Sequence, residues 1–324
     1  MAGWRLRGAA APAQTVPAGA ARFVAPLPPP LLRIGHAPAQ LPARPAGPAA
    51  ATTTPDGVVA ALRARASRGG AGVPAAEVDR WILRWVTEPE RRRELEDGLG
   101  RMARYEPLVR ESLRRHGQPE ELLYLAVVES QFRVGAVSHA GATGMWQFMA
   151  GTGRLYDLEV SEYVDERRDP VRSTEAAVRH LADLHREFGS WHLALAAYNA
   201  GAARVDRALR RHAGGRRGDE LLYWRIRPHL PRETRTYVPL YLAAAEIARS
   251  PEAFGLRPRR QPPLVFAEVW VPGGVALDAV AREHGVPAAT LRELNPHLIR
   301  GTTPPGRRWP VRVPPSYLAR RESE

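Results

Sequence analysis

Between residues 73 and 249 the apolar positions recur at a spacing of three and four, the signature of helices with one buried face. Val78, Trp81, Ile82 and Trp85 form the first such stripe, behind Pro74 in an opening turn. Leu95, Leu99, Met102 and Tyr105 form the second, opposite a face of Arg and Glu, and Pro107 is expected to kink or break it. Leu108, Val109 and Leu113 carry helical character on to about Arg115, Gly117 closes it, and Pro119 starts a new helix. Further helices are expected over Ser173 to Phe188, Trp191 to Ala200, Ala202 to Arg211, Asp219 to Tyr223 and Arg232 to Arg249. One helix differs from the rest: Glu121 to Gln131, E-L-L-Y-L-A-V-V-E-S-Q, is apolar on almost every side and so is expected to be buried all round.

After Arg257 to Pro263, which reads as a linker, the period changes to two. Val265, Ala267 and Val269 alternate with Phe266, Glu268 and Trp270 over the strand expected from Leu264 to Val271. Two short helices, Leu277 to His284 and Pro287 to Leu294, and a closing strand, Trp309 to Val313, complete a small β-α-α-β unit. At the other end, residues 1–72 are rich in Ala, Pro, Gly and Arg, with Pro-Leu-Pro-Pro-Pro at 26–30, and read as a disordered leader or linker with room for a short helix from Asp56 to Ala66. The division expected is therefore 1–72, 73–256 and 264–316.

Composition narrows the chemistry. The 324 residues include no Cys, so disulfides, thiolate metal sites, Cys nucleophiles and a lipidated Cys are excluded for this sequence. All 47 basic residues are Arg, and the net charge is +13. With 31 Pro and 28 Gly this composition suits a GC-rich genome, so basicity carries less functional weight than usual. An anionic partner such as the bacterial cell wall fits the charge. No basic helix with base-reading side chains and no stacked-aromatic motif is present, so nucleic acid is not an expected partner. No apolar run is long enough for a transmembrane helix. Arg5 and Arg7 open the chain as a signal peptide does, but the Pro-broken stretch after them makes a poor apolar region, so no export route is readable.

Glu129 stands in the last turn of the all-apolar helix. Burial and the negative end of the helix dipole both disfavour its charged form, and no cation follows before Arg133. A raised pKa, suited to a general acid at neutral pH, is the expectation; the plain alternative is a Glu that caps a helix end or pairs with an Arg. The span from Phe132 to Gly153 holds five Gly with Trp146 and Phe148 and reads as a tight surface loop packed by its own side chains. Tyr198 and Asn199 end another buried helix. A carboxylic acid beside Trp, Tyr, Gln and Asn fits a carbohydrate cleft, while Gln147 and Asn199 could equally tie down loop backbone and Tyr198 could be core. His180 and His185 are five apart, off a helical zinc face, and Ser130 lacks a G-x-S-x-G elbow, so no metal and no cofactor is expected.

These residues resemble a known family. E-S-Q-F-R-V-G-A-V-S-H-A-G-A-T-G-M-W-Q-F-M-A-G-T-G at 129–153 is similar to the first motif of lytic transglycosylases of the soluble-lytic-transglycosylase type. D-E-R-R-D-P at 165–170, L-A-L-A-A-Y-N-A-G at 193–201 and R-E-T-R-T-Y-V-P at 232–239 resemble its later motifs, with a spelling closest to the membrane-bound lytic murein transglycosylase D branch. The motif core spans 119–240. The resemblance implies a mainly α, goose-type lysozyme-like helical domain around a groove for a peptidoglycan glycan strand.

It also implies roles for particular residues. Glu129 falls on the single catalytic acid, which protonates the bond between N-acetylmuramic acid and N-acetylglucosamine and then, as base, lets the C6 hydroxyl close a 1,6-anhydro ring without water. Ser138 falls where the family has a hydroxyl near the acid. Gln147, Met149 and Thr152 fall where it lines its sugar subsites. Tyr198 falls where a hydroxyl faces the acid, with Asn199 next to it and Tyr237 in the closing motif. V-A-L-D-A-V-A-R-E-H-G-V-P-A-A-T-L-R-E-L-N-P at 275–296 resembles a LysM repeat, although G-G-V-A-L stands in place of the usual G-D-T-L opening. The alternatives are a hydrolytic lysozyme-like muramidase on the same fold and a cell-wall-binding protein without activity. The resemblance implies the periplasm or cell envelope, and a monomer is the expected state.

Overall fold

The computed structural model describes residues 73–315, together with Asp56, Gly57 and Ala60. The leader, apart from those three helical residues, lies outside the described residues, as does the tail beyond 315. Two apolar cores organise the rest. The larger is helical, and the smaller lies under a two-stranded sheet.

Helix α1 (Val73–Thr87) buries Val78, Ile82, Trp85 and Val86. Helix α2 (Pro89–Arg115) buries Leu95, Leu99, Met102, Tyr105, Val109 and Leu113 along one stripe. The break expected at Pro107 does not occur: the helix continues through it. Pro107 itself faces solvent, while Tyr105 and Val109 anchor the helix on both sides. The all-apolar segment is also built differently from a single helix. A 3₁₀ turn, Glu120–Tyr124, leads into the six-residue helix α3 (Leu125–Ser130). Leu122, Leu123, Leu125 and Ala126 have no exposed surface, so the segment is enclosed as its composition requires.

Helix α4 (Ala150–Leu155) leads towards the 3₁₀ turn Glu166–Arg168, which carries the D-E-R-R-D-P stretch. Then come α5 (Pro170–Phe188), α6 (Trp191–Ala200), α7 (Ala202–Ala213), α8 (Leu221–Ile226) and α9 (Arg232–Arg249). Helix α6 is buried from Trp191 to Ala197 and packs against α5, α7 and α9. Its N-terminus is closed by Ser190 and by Glu220, which accepts from the Trp191 and His192 amides at 2.8 and 2.7 Å. A carboxylate there matches the positive end of the helix dipole.

The small unit pairs β1 (Ala267–Val271) with β2 (Trp309–Val313), antiparallel, with Ala267 opposite Val313 and Val271 opposite Trp309. Helices α10 (Leu277–Glu283) and α11 (Ala288–Leu294) cover one face. The linker expected at 257–263 is strapped along α2. Gln261 and Leu264 donate backbone bonds to the Gly100 and Arg104 carbonyls at 3.0 and 2.8 Å, and a Cβ at Gly100 would lie 2.5 Å from the Arg259 carbonyl oxygen. Nor does the small unit stand apart. Val164 of the helical region joins its core, the Asp165 amide donates to the His297 carbonyl at 2.9 Å, and Ile299 donates to that of Tyr163 at 3.1 Å. The helical elements and the small sheet make the protein mainly α, in line with the pattern of its sequence.

Candidate active site

Glu129 is mounted by the end of α3. The helix stops because Gln131 and Phe132 turn left-handed, at φ 54° and 59°. Such backbone costs about 1 kcal/mol or more for a residue with a side chain and persists where its surroundings hold it. Here they do. The Phe132 amide reaches back to the Ala126 carbonyl at 3.1 Å, and Phe132 stacks on Tyr105 of α2 at 6.3 Å. Arg101 donates to the Gln131 carbonyl at 2.8 Å, and Gly98 leaves room for the Gln131 side chain, which a Cβ would meet at 3.0 Å.

The Glu129 carboxylate accepts a hydrogen bond from the Tyr237 hydroxyl of α9. Its pKa is pushed up to about 7: burial raises it most, the Tyr237 bond acts in the opposite direction, and neighbouring Glu233 adds to the rise. The direction agrees with the reading of the sequence, but the last contributor was missed. Glu233 and Tyr237 are four residues apart on α9 and share a face, a spacing that could have found it.

Tyr198 comes from the end of α6. Its hydroxyl donates to the Trp146 carbonyl at 2.8 Å. Its acidity is pushed well below that of a free phenol, first by burial and then by the Glu129 carboxylate. Tyr237 is shifted the same way, by burial and then by Glu129. Asn199 bridges two groups of α9: its amide donates to Glu233 at 2.8 Å and accepts from the Thr234 hydroxyl at 2.8 Å. Glu129, Tyr237, Tyr198, Asn199 and Glu233 thus meet where α3, α6 and α9 converge.

The Gly-rich span is not a surface loop packed on itself. Trp146 has no exposed surface, and its indole N–H donates to Thr174 of α5 at 3.0 Å, so the loop is plugged into the helical core. Ser130 donates to the Met145 carbonyl at 2.8 Å, tying the loop to the residue next to Glu129. Gln147, at φ 49°, donates to the Gly144 carbonyl at 2.8 Å and so holds loop backbone. Ser138 sits in an exposed turn, where its hydroxyl accepts from the Ala142 amide at 3.0 Å. Met149 is 47% exposed at the start of α4, and Thr152 is partly exposed one turn on. Among the described residues no cluster of three or more His, Asp or Glu could hold a metal, and no helix is long and apolar enough to cross a membrane.

Glu129, with its pKa raised to about 7, thus stands beside Tyr237 at the end of an enclosed helix in a helical region. Residues 107–219 match the family model described as the transglycosylase SLT domain, and residues 265–323 match that of the lytic transglycosylase MltD, LysM-like domain. Over these two stretches the chain is similar to the lytic transglycosylases of the SLT type. It is 35% identical over 193 residues to the membrane-bound lytic murein transglycosylase D of Escherichia coli strain K12, which covers 59% of this chain and 42% of that protein. The chain thus spans less than half the length of that relative. Among solved structures it is similar to the lytic transglycosylase Slt of Pseudomonas aeruginosa, with a TM-score of 0.38 and 25% identity over 48% of this chain and 25% of that one. The 70 kDa soluble lytic transglycosylase of Escherichia coli gives a TM-score of 0.38 and 26% identity over 47% and 25%.

Proposed function

We propose that this protein is a peptidoglycan lytic transglycosylase of the cell envelope, with Glu129 as its one acid and base. The observation that carries the reading is a largely enclosed Glu129, half protonated near pH 7, hydrogen-bonded to Tyr237 and flanked by Tyr198. A group with such a pKa can give a proton and take one back within a single turnover. It would protonate the oxygen between N-acetylmuramic acid and N-acetylglucosamine. The carboxylate so formed would accept the proton of the muramoyl C6 hydroxyl as that oxygen closes on C1. The substrate supplies its own nucleophile, which explains how one carboxyl suffices where most glycosidases need two.

Around the acid, Tyr237 steadies the ionised form and Tyr198 faces the reacting sugar. Asn199 orients Glu233. Met149 and Thr152, at the mouth of the loop, offer contact to neighbouring sugars. Ser138 and Gln147, whose side chains hold loop backbone, act through the shape of the 138–147 turn. The LysM-like unit would take the glycan strand as its ligand.

Mass spectrometry of sacculi digested by the purified protein tests the reading. The expected products end in 1,6-anhydromuramic acid, with none from Glu129→Gln. Reducing-end products from the parent protein, with no anhydro sugar, would sink it.

A further inference from the structure

We infer that Arg167 is a positioning residue through which the docked C-terminal unit holds the 141–149 loop in register with Glu129. The inference rests on the assignment of Glu129 as the acid. Arg167 is buried, and four hydrogen bonds hold its guanidinium. It donates to both Asp165 oxygens at 2.9 and 2.8 Å and to the carbonyls of Gly141 and Phe148 at 3.0 and 3.1 Å. Its fork therefore joins a carboxylate on one side to the two ends of the loop on the other. The backbones are equally close: a Cβ at Gly144 would lie 1.8 Å from the Arg167 carbonyl oxygen, and Gly144 has φ +86°.

On the far side, the same stretch is held by the C-terminal unit. Asp165 and Val164 bridge to His297 and Leu298 through the backbone. Four residues on, Asp169 is buried against Arg312 of β2 at 2.8 Å, with a His297 ring nitrogen at 3.1 Å. On the near side, two successive loop carbonyls, Met145 and Trp146, accept from Ser130 and Tyr198, the neighbours of the acid in sequence and in space. The path thus runs from β2 to Asp169, along the 3₁₀ turn to Asp165 and Arg167, and through the loop to the residues beside the acid. Misplacing a reacting group by an ångström costs rate more than affinity, so the brace should be felt in kcat.

Two measurements on the full chain test this. The first is backbone amide hydrogen exchange at residues 143–148, which needs no activity. The second is the kcat and KM of anhydro-product formation on a defined glycan oligosaccharide. With Arg167→Met, the loop amides should exchange at least roughly tenfold faster while those of β1 and β2 keep their protection. Its kcat should fall by roughly tenfold, with a smaller change in KM. Arg312→Met should speed exchange in the same loop, and Arg312→Lys, which keeps a cation on Asp169, should restore protection. If Arg312→Met unfolds the C-terminal unit, its sheet amides exchange at once, and the brace still requires the loop to loosen. Loop protection equal to that of the parent in both Met variants overturns the inference. A parent protein that forms no anhydro product overturns the proposed transglycosylase reaction instead, and leaves the exchange result standing.

Discussion

Two carboxyl groups, each removed from water, have opposite fates in this protein. Asp169 is 2% exposed and ionised; Glu129 is largely enclosed and half neutral at pH 7. Burial pushes both upwards. At Asp169 it is outweighed by Arg312, by the His297 ring and by the amides of Val171 and Arg172, which the carboxylate accepts at 2.8 and 3.0 Å as the N-cap of α5. At Glu129 the neighbours are a hydroxyl and a second carboxylate. The two also sit at opposite poles of their helices, Asp169 before the first turn of α5 and Glu129 in the last turn of α3. Burial alone therefore does not make an acid. The sign of what surrounds the group decides between a structural anchor and a proton donor.

The sharpest way to break the contrast is Glu129→Gln. It should cost on the order of 10²–10⁴-fold in kcat or more, measured as anhydro product released from sacculi. The matched change at the other site, Asp169→Asn, keeps an N-cap but leaves buried Arg312 with only the more distant Glu268 carboxylate, at 3.5 Å, as counter-charge. It should cost stability rather than chemistry, about 3–5 kcal/mol by urea unfolding. Pairing it with Arg312→Met should recover most of that loss, because an apolar replacement for both partners leaves no orphaned charge. If Asp169→Asn were harmless, Arg312 would not be what keeps that carboxyl ionised.

A third test turns on the sign of the Glu129 shift. Its folded pKa, about 7, lies above the 4.5 of a free glutamate. The folded state therefore holds a proton that the unfolded chain gives up first. This contribution is fully present below pH 4.5 and is lost as pH rises to about 7, a change of about 3 kcal/mol. Glu129→Gln removes the ionisation, so it should raise the Tm at pH 8 relative to the parent and leave the difference small at pH 4. A glutamine variant that gains nothing at pH 8 would mean that the carboxylate is well solvated when charged.

The sequence made some of this contrast legible and hid the rest. The helical stripes, the enclosed α3 segment and the acid at its end follow from local spacing and from helix polarity, both of which are written in neighbouring residues. Asp169 is different. Its role depends on Arg312, 143 residues further on, and nothing in D-E-R-R-D-P announces a partner in a strand beyond the linker. The linker itself reads as free because Pro and Arg suggest solvent, yet Gly100 of α2 is shaped to receive it. Trp146 likewise reads as part of a surface loop, since five Gly hide the bonds to Thr174 and Tyr198 that draw it inward. Pro107 was expected to kink or break a helix because the rule for proline is local, whereas the packing of Tyr105 and Val109 that carries the helix through it is not.

The smallest of the expected effects probes the neighbour that works against burial. The Tyr237 hydroxyl donates to Glu129 and favours its charged form. Tyr237→Phe removes that bond with little change in volume, so the Glu129 pKa should move further up. The alkaline limb of kcat/KM, which falls as the acid ionises through about pH 7 in the parent, should then shift to higher pH. The second half of the reaction needs the carboxylate, which loses its donor, so kcat should fall by about tenfold, the scale of one hydrogen bond to a charged group. Protonating power and proton-accepting power would thus move in opposite directions in one variant, which a merely loosened site would not produce. A limb that stays in place, or that moves to lower pH, would show that burial and Glu233 set the acid without Tyr237.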